Sequence, residues 1–459
     1  MIYEPYLKVI DEYADKFIGV SDYIFDHPEL AFGEYKSARC LIDALKDFGF
    51  TVTEGLAGIP TAFKAEFGSG SPRIGVLAEF DALHQLNYKA CVAEPIKLTN
   101  SENGHGCGHN LFAGGSLAAA VAIKKYVEET GNGSITLFGC PGEENAGGKV
   151  YMARDHVFDG MDAIVSWHPE QMHMPRTRGS LANYKVEYAF KGIAAHAGSS
   201  PQFGRSALDA VELMSVGVNY LREHMDPTSR IHYAYLDAGG EAPNIVQDHA
   251  RVSYMIRAVD NPEVIDLFKR VTKIAQGAAL MTETEMTYQI YGAYSKLITI
   301  PVMQQTGYEV MQTIPVPVPN EEDVELGKKL RETMVLTDEQ KAMPLYPDSV
   351  RVPDPPKAHG GSTDTSDVSW NCPTLQFHIA TRITGTKGHS WQATAQGKTH
   401  YAHEALLYAG KVLAGTAIRM MTEPELMAQA KAEHKAAVGS GYVCPLPAEC
   451  QPRILPKED

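Results

Sequence analysis

Three short, largely apolar runs separated by segments with helical periodicity constrain the fold of this chain more than any other feature. They are Arg73–Glu79 (RIGVLAE), Ser134–Cys140 (SITLFGC) and residues 163–167 (AIVSW). Runs of this kind are typical of strands in a parallel sheet that is buried on both faces. Residues 114–126 are rich in Ala, Leu and Lys and predict a helix between the first two strands. This order predicts an α/β fold with a mixed, mostly parallel sheet covered by helices.

The pattern changes after about Gly179, where the predicted strands become half polar. Residues 183–191 alternate like an exposed strand, and residues 207–224 predict a long helix. Two more half-polar strands and another helix follow, at residues 231–237, 250–257 and 262–279. Half-polar strands combined with helices predict an α+β module whose sheet has one open face.

The α/β pattern then returns, with a strand at residues 375–380 and a helix at residues 402–421. Since a single core rarely grows past ~250–300 residues, a chain of 459 residues favours two domains. We therefore predict a larger α/β domain formed by residues 1–182 and 297–459, with a smaller domain at residues 183–296 inserted into it.

Charge and composition exclude several classes of partner. The formal net charge is -15, whereas nucleic-acid binding needs clustered Lys and Arg. No basic start followed by an apolar run opens the chain, and no window approaches the ~18 apolar residues of a membrane span. The seven cysteines are scattered and odd in number, which favours thiols or metal ligands over a disulfide framework. We expect a cytoplasmic protein that binds neither nucleic acid nor a membrane.

The motif GHGCGHN contains His105, Cys107 and His109 within five positions. Its glycines allow the backbone to turn tightly, and Cys and His are ligands that zinc and related metals prefer. If the loop is extended, side chains two positions apart face one cation. The alternative is a glycine-rich turn whose histidines are incidental.

Further candidate ligands follow other predicted strands. Glu143 and Glu144 come directly after Ser134–Cys140, where one carboxylate can bind a metal while its neighbour remains free as a base. His168 and His389 also follow short apolar strands. Taken singly, each of these residues has an ordinary alternative, an exposed acidic turn or a core or surface histidine. Their convergence at three strand ends indicates a metal site.

The motifs GHGCGHN, CPGEEN, SWHPE and GHSW, in this order, resemble the aminoacylase and carboxypeptidase family of co-catalytic metallopeptidases, and more narrowly its amidohydrolase branch. The similarity extends over nearly the whole chain and includes HPE at residues 27–29, AEFDAL at 78–83, FKGIAAHAGSSP at 190–201, GRSALDAV at 204–211 and STDTSDVSW at 362–370. The resemblance implies a catalytic α/β domain and a smaller α+β lid that also forms a homodimer.

The resemblance also implies the site residues. The metal ligands would be Cys107, His109, Glu144, His168 and His389, which would hold two divalent ions, Zn²⁺ or Mn²⁺. Cys107 would bridge the two ions as a thiolate, and His105 lies outside this set. Glu143 would be the general base.

The resemblance assigns three residues of the lid to the substrate. His196 would donate a hydrogen bond to the developing oxyanion, often in the site of the partner subunit. Asn244 and Arg257 would bind the substrate's carboxylate or the oxyanion. The alternatives are a lone loop histidine, a turn asparagine and a solvated arginine.

This chain departs from the family at Asn110, where many members carry Asp, so a charged partner of the ligands would be missing. Asp81, Asp364 and Asp367 are candidates for such partners, with ordinary strand-end or loop acids as the alternative.

The implied reaction is hydrolysis of the amide bond of an N-acyl amino acid. The sequence also resembles the p-aminobenzoyl-glutamate hydrolase group, which implies cleavage to p-aminobenzoate and glutamate and raises the question of a second, homologous subunit. The alternatives are a dipeptidase acting on basic or β-alanyl dipeptides, another N-acyl amino acid amidohydrolase, a thiol mechanism through Cys107, and a non-enzymatic metal-binding scaffold.

Overall fold

The computed structural model describes residues 1–353, 358–359, 361–439 and 441–457. The helices of these ranges are α1 (Glu4–Glu12), α2 (Ala14–Asp26), α3 (Tyr35–Asp47), α4 (His109–Thr130), α5 (Gly148–Arg154), α6 (Ala207–Leu221), α7 (Asn261–Thr282), α8 (Pro301–Thr313), α9 (Glu321–Glu332), α10 (Asp338–Ala342), α11 (Thr365–Asn371), α12 (Trp391–Ala395), α13 (His400–Thr422) and α14 (Pro424–Val438). The strands are β1 (Thr51–Glu54), β2 (Phe63–Phe67), β3 (Arg73–Glu79), β4 (Ser134–Cys140), β5 (Ala163–Glu170), β6 (Met174–Pro175), β7 (Gly179–Ser180), β8 (Ala182–Lys191), β9 (Arg230–Asp237), β10 (His249–Ala258), β11 (Glu285–Tyr294), β12 (Ala358–His359) and β13 (Thr374–Ala380).

The larger sheet is seven-stranded, in the order β1-β2-β4-β3-β5-β13-β6. Its four central strands, β4, β3, β5 and β13, are parallel. β2 and β6 join them antiparallel, and β1 pairs antiparallel with β2. β3 and β4 are buried along almost their whole length, as their apolar sequences predict. This mixed, mostly parallel sheet surrounded by helices confirms the predicted α/β fold. The carboxyl ends of the four parallel strands meet at one edge.

Helices α4 and α13 pack against each other and cover the larger sheet. Both are buried along most of their length and rich in alanine. A Cβ atom on Gly410 would lie 2.8 Å from Ala118 Cβ, so a glycine is needed where the two helices cross closely. The resulting core fixes the position of the amino end of α4, where the candidate ligands begin.

The second sheet is antiparallel, in the order β11-β8-β10-β9. Helices α6 and α7 pack on one of its faces. The edge strand β9 is exposed along most of its length. These elements fall within the stretch where the sequence pattern changes; the boundaries at residues 183 and 296 stay a prediction.

Two elements expected from the sequence differ in extent from those in the structure. The apolar spacing of residues 8–25 predicts one helix, but the backbone leaves helical geometry at Tyr13 (φ −114°, ψ 21°), giving α1 and α2, which both contact α4. Residues 347–361 are rich in Pro, Gly and charge, which predicts a loop. Part of this range lies outside the described residues, and its described part contains β12. Among the helices of the described ranges, none is both long and apolar enough to cross a membrane.

Candidate metal centre

Five side chains singled out in the sequence lie together at the carboxyl edge of the parallel strands. They form two sets that share one residue: Cys107 with His109 and His168, and Cys107 with Glu144 and His389. In each set the candidate ligand atoms all lie within 4.8 Å of one another. The arrangement offers one thiol, three imidazoles and one carboxylate, a donor set that suits Zn²⁺ and related divalent ions.

The glycine-rich turn places Cys107 beside β5. Gly108, with φ +87°, precedes α4, which begins at His109. A Cβ atom on Gly108 would lie 2.9 Å from Pro169 Cβ, so both the backbone conformation and the close approach require glycine. Cys107 Sγ consequently lies 3.4 Å from His168 Nε2.

Two local expectations about these residues were wrong. The loop is not extended at His109, because the left-handed Gly108 ends the turn and starts α4 five residues before the predicted start at residue 114. His168 lies within β5 and does not follow it, because β5 continues to Glu170 along its parallel neighbour β13, with His168 opposite His378.

Asp81 connects the two sets. Its Oδ1 lies 2.9 Å from His109 Nδ1, and its Oδ2 accepts a hydrogen bond of 3.0 Å from the Glu144 backbone N–H. Burial opposes ionisation of Asp81, but the charge and hydrogen bond of His109 outweigh it and lower the pKa of this carboxyl. A carboxylate on Nδ1 leaves Nε2 of His109 as the atom that can bind a metal.

His389 completes the second set from a loop after β13. Its Nε2 lies 3.3 Å from Glu144 Oε2, and its backbone N–H donates to Gly106 O. The backbone of His389 is left-handed, with φ +57°. A non-glycine residue in this conformation is uncommon, and such strain is concentrated at functional sites.

The buried polar atoms of the site fit bound cations. Within the part of the chain that the structure describes, His109 Nε2 and Glu144 Oε1 are buried and have no hydrogen-bond partner. Leaving such atoms without a partner costs ~1–3 kcal/mol each, which a coordinated ion would offset. Burial, and then the Glu144 carboxylate, raise the pKa of the Cys107 thiol, so the protein groups alone do not favour its thiolate. Neighbouring cations would favour the thiolate of Cys107.

Glu143 lines the same cavity as four of the five candidate ligands. Burial raises the pKa of its carboxyl, and the carboxylates of Glu79 and Glu144 raise it further. Its carboxylate also lies in a group with Glu79 and His109 whose atoms are within 4.8 Å of one another. Glu143 thus places a carboxyl group beside the ligand sets.

The sequence analysis missed a buried ion cluster behind the site. Lys149 is 0% exposed, and its Nζ lies 2.8 Å from Glu79 Oε1 and 2.5 Å from Asp364 Oδ1. The position of Glu79 at the end of β3 was a usable signal, because it shares the sheet edge with the ligands. Nothing in the sequence around Lys149 distinguishes it from a surface lysine at the start of a helix.

The remaining predicted residues are dispersed. His105 is buried in the core, where its Nε2 donates to Ile24 O at 3.0 Å and burial lowers its pKa to about 3. Asn110 donates to Ser21 Oγ and Gly397 O. Acidic side chains beside His109 are those of Asp81, at 2.9 Å from Nδ1, and Glu79, at 3.3 Å from Nε2.

The three residues that the resemblance assigns to the substrate belong to neither ligand set. Arg257 Nη1 donates to the hydroxyl of Ser362, which lines the cavity, over 2.7 Å. His196 and Asn244 are exposed next to each other, Ala197 N donating to Asn244 O, and neither belongs to the described residues that line the cavity. His196 Nδ1 accepts from the backbone N–H groups of Gly198 and Ser199, each at 3.1 Å, which places the ring proton on Nε2.

The cavity has a volume of about 400 Å³, within the range of small-molecule sites. Its lining includes the candidate ligands Cys107, Glu144, His168 and His389, together with Glu143. The rest of the described lining is Glu170, Met172, Met174, Arg176, Thr177, Arg178, Arg351, Gly361, Ser362, Thr363 and His378.

Comparison with known proteins gives a consistent result. The sequence profile of Peptidase family M20/M25/M40 matches residues 75–344. The chain is 38% identical to a subunit of p-aminobenzoyl-glutamate hydrolase from Escherichia coli (strain K12), over 99% of each chain. It is 27% identical to Xaa-Arg dipeptidase of Mus musculus, over 93% of this chain and 90% of that protein.

The fold is also that of a solved structure. A dinuclear metal binding peptidase from Bacillus subtilis, of the M20 family, superposes with a TM-score of 0.58 at 15% identity, over 90% of this chain and 99% of that one.

Proposed function

This chain belongs to peptidase family M20/M25/M40, hydrolases of amide and peptide bonds, and from that premise we propose that it uses two divalent cations to cleave the amide bond of an N-acyl amino acid. p-Aminobenzoyl-glutamate is the first candidate substrate, since the relative that shares 38% identity over the whole chain is named for it. The observation that carries the proposal is the pair of ligand sets that share Cys107 beside Glu143.

The ions would be held by five residues. Cys107 would bridge them, with His109 and His168 on one ion and Glu144 and His389 on the other. When bound, such ions lower the pKa of water and polarise the amide carbonyl. The thiol favours Zn²⁺ on ligand softness, and Mn²⁺ is the second candidate.

Glu143 would move the proton. It accepts the proton that a water molecule loses as the water oxygen attacks the amide carbonyl carbon. When the C–N bond breaks, Glu143 returns this proton to the departing amine nitrogen. Burial in the cavity shields this carboxylate from bulk water, which strengthens its interactions with the reacting groups.

We propose that residues 183–296 form a lid and the interface of a homodimer. The exposed apolar side chains in this range support the proposal; Phe203 is 69%, Tyr220 73% and Leu280 82% exposed. Exposed apolar residues of this size are typical of protein interfaces. His196, whose Nε2–H is free to donate, would reach the partner's cavity and bind the developing oxyanion, while Asn244 and Arg257 would bind the substrate's carboxylate.

The test is hydrolysis of p-aminobenzoyl-glutamate by metal-stripped protein, with Zn²⁺ or Mn²⁺ added back. Activity that returns only with a metal supports the site, the reaction and the substrate together. Metal uptake without hydrolysis would move the substrate to dipeptides, Xaa-Arg among them, or to other N-acyl amino acids, or would require the second, homologous subunit to be added. Activity that survives chelation but is lost on alkylation would favour the Cys107 thiol mechanism instead.

Replacing the base separates catalysis from metal binding. We expect Glu143→Ala to lower kcat roughly 10²–10⁴-fold or more, with metal content near that of the wild type. Metal analysis and steady-state kinetics measure both effects, with the exposed Glu12→Ala as control. A variant that loses its metal would make Glu143 a ligand; a variant that keeps full turnover would exclude it as the base.

A further inference from the structure

Arginine side chains line the cavity that holds the candidate metal site. Two of them, Arg176 and Arg351, which we call the arginine wall, contribute to the lining together with Cys107, Glu143 and the other site residues. Neither was singled out in the sequence, and neither is needed to hold the ions. Arg176 is partly buried, and burying a cation is costly unless an anion balances its charge.

Arg176 is held rigidly at the edge of the larger sheet. It follows β6, which pairs with β13, and its backbone N–H donates to Gln376 O at 2.8 Å. Its Nη1 donates to Gln376 Oε1 at 2.5 Å, and the side chain of Gln304 donates to its carbonyl. The side chain is thus oriented by packing and hydrogen bonds before any ligand arrives.

Arg351 comes from a different part of the chain and is attached to the same sheet edge. Its backbone N–H donates to His173 O at 2.9 Å, and Val350 pairs with His173. Its side chain is exposed, and its Nη1 lies 3.8 Å from Met172 Sδ, a weak contact. Two separate segments therefore carry guanidinium groups to one wall.

Each acidic residue in the described lining of the cavity has another contact or role. Glu144 contacts His389 within a ligand set, and Glu143 is the proposed base. Glu170 Oε2 lies 3.6 Å from Arg382 Nη2, and Arg382 is outside the described cavity lining. Burial lowers the pKa of Arg176, while Glu143, Glu170 and Glu79 oppose this effect, so its guanidinium remains charged.

We propose that the arginine wall binds the side-chain carboxylate of the substrate's amino acid, so that the enzyme selects N-acyl derivatives of acidic amino acids. The proposal rests on the proposed function and narrows it. Arg257 at the Ser362 edge would hold the α-carboxylate, and the wall the second one. A guanidinium can bind a carboxylate through two parallel hydrogen bonds. The same wall repels a cationic leaving group, which excludes Xaa-Arg dipeptides.

The test compares two substrates that differ in one charge, p-aminobenzoyl-glutamate and p-aminobenzoyl-glutamine, on metal-loaded protein. We expect the wild type to prefer the glutamate by about 100-fold in kcat/KM, since a site built for a polar group rejects an analogue without it. Each of the variants Arg351→Gln and Arg176→Gln should lower kcat/KM for p-aminobenzoyl-glutamate by roughly 10–100-fold, mainly by raising KM. The same variants should change kcat/KM for p-aminobenzoyl-glutamine by less than about threefold. Arg351→Lys should recover part of the loss.

The matched control is Arg453→Gln, an exposed arginine outside the cavity, which should change neither value. Arg351 is exposed, so Arg351→Gln tests the wall even if Arg176→Gln fails to fold. Equal losses on both substrates, or a wild type that hydrolyses both equally, would overturn the proposal.

A binding measurement separates the proposal from the proposed function. In metal-loaded Glu143→Ala protein, Arg351→Gln should raise the Kd of p-aminobenzoyl-glutamate by roughly 10–100-fold without turnover. If the Kd rises in this way but the wild type hydrolyses no N-acyl amino acid, the proposed function is overturned and the arginine wall still stands as a carboxylate-binding site. If the wild type hydrolyses the substrate and Arg351→Gln leaves the Kd unchanged, the proposed role of the arginine wall is overturned and the proposed function stands.

Discussion

At the scale of single residues, Asp81 is the side chain on which both ligand sets depend. It contacts His109 Nδ1 and the backbone N–H of Glu144. We expect Asp81→Asn to weaken metal binding about 10–100-fold, because the amide no longer holds His109 in the orientation and charge state that a ligand needs. Competition with a chelator measures the affinity, and the exposed Asp15→Asn is the control. An unchanged affinity would show that Asp81 only packs against the site.

The buried carboxyl of Asp367 makes the free energy of unfolding depend on pH. Its buried carboxylate accepts hydrogen bonds from Ser295 N and Oγ and from the Tyr442 hydroxyl. Burial raises its pKa from 3.8 to about 7, although these hydrogen bonds oppose the shift. Because the folded state holds this proton more tightly than the unfolded chain, the free energy of unfolding falls as pH rises from about 4 to about 7.

We expect Asp367→Asn to flatten this part of the pH profile, because asparagine does not ionise. At pH 5 the variant should be less stable than the wild type by about 1–2 kcal/mol, since the amide nitrogen cannot accept a hydrogen bond that a carboxyl oxygen accepts in the wild type. The difference should shrink or reverse at pH 8. Thermal unfolding at both pH values measures it, with Asp15→Asn as control; an unaltered slope would place the titration on another group.

The structure groups the five ligand candidates that the sequence indicated, because parallel strands bring their carboxyl ends to one edge and Cys, His and Glu stand out there. Their roles as ligands stay a prediction. Lys149, Arg176 and Arg351 were not foreseen. Their positions depend on contacts with strands and loops far away in sequence, and Lys and Arg are ordinary surface residues until those contacts are known.

At the scale of elements, the two ends of α4 allow a matched comparison. Gly108 and Gly131 both have positive φ, +87° and +68°. A Cβ atom on Gly108 would lie 2.9 Å from Pro169 Cβ, whereas nothing lies within 4 Å of one on Gly131. Alanine at either position costs ~1–2 kcal/mol for the left-handed backbone. Only Gly108→Ala should also push the turn away from β5.

We therefore expect Gly108→Ala to separate Cys107 from His168 and to lose metal affinity and activity, whereas Gly131→Ala loses only stability. Metal content and thermal unfolding of both variants measure the difference. If the two variants bind metal equally well, the close approach at Pro169 does not position Cys107.

Element positions were predictable where a local pattern fixes them. β3 and β4 match their apolar runs because a buried strand is read directly from its side chains. Element ends were less predictable. The start of α4 depends on the left-handed Gly108, and the break at Tyr13 lets α1 and α2 both reach α4, so packing and not periodicity sets these limits.

At the scale of the whole molecule, the position of His196 outside the described cavity lining bears on how the chain assembles. His196 is exposed, and its Nδ1 is occupied by two backbone N–H groups, so its Nε2–H points outward as a donor. It is absent from the described lining of the cavity in its own chain. If this histidine binds the oxyanion, we expect the cavity that it serves to be that of a second copy.

Mixing two inactive variants tests this assembly. His196→Ala and Glu143→Ala each remove one half of a composite site, so each homodimer is expected to be inactive. A heterodimer joins the intact Glu143 of one chain to the intact His196 of the other. Equal co-expression should therefore restore about a quarter of the wild-type activity, because half of the dimers are mixed and each has one complete site. Restored activity that co-purifies with a tag on either chain would establish the shared site. A dimer with no restored activity would place His196 in the cavity of its own chain after a movement of the lid, and a monomer in sedimentation would remove the interface altogether.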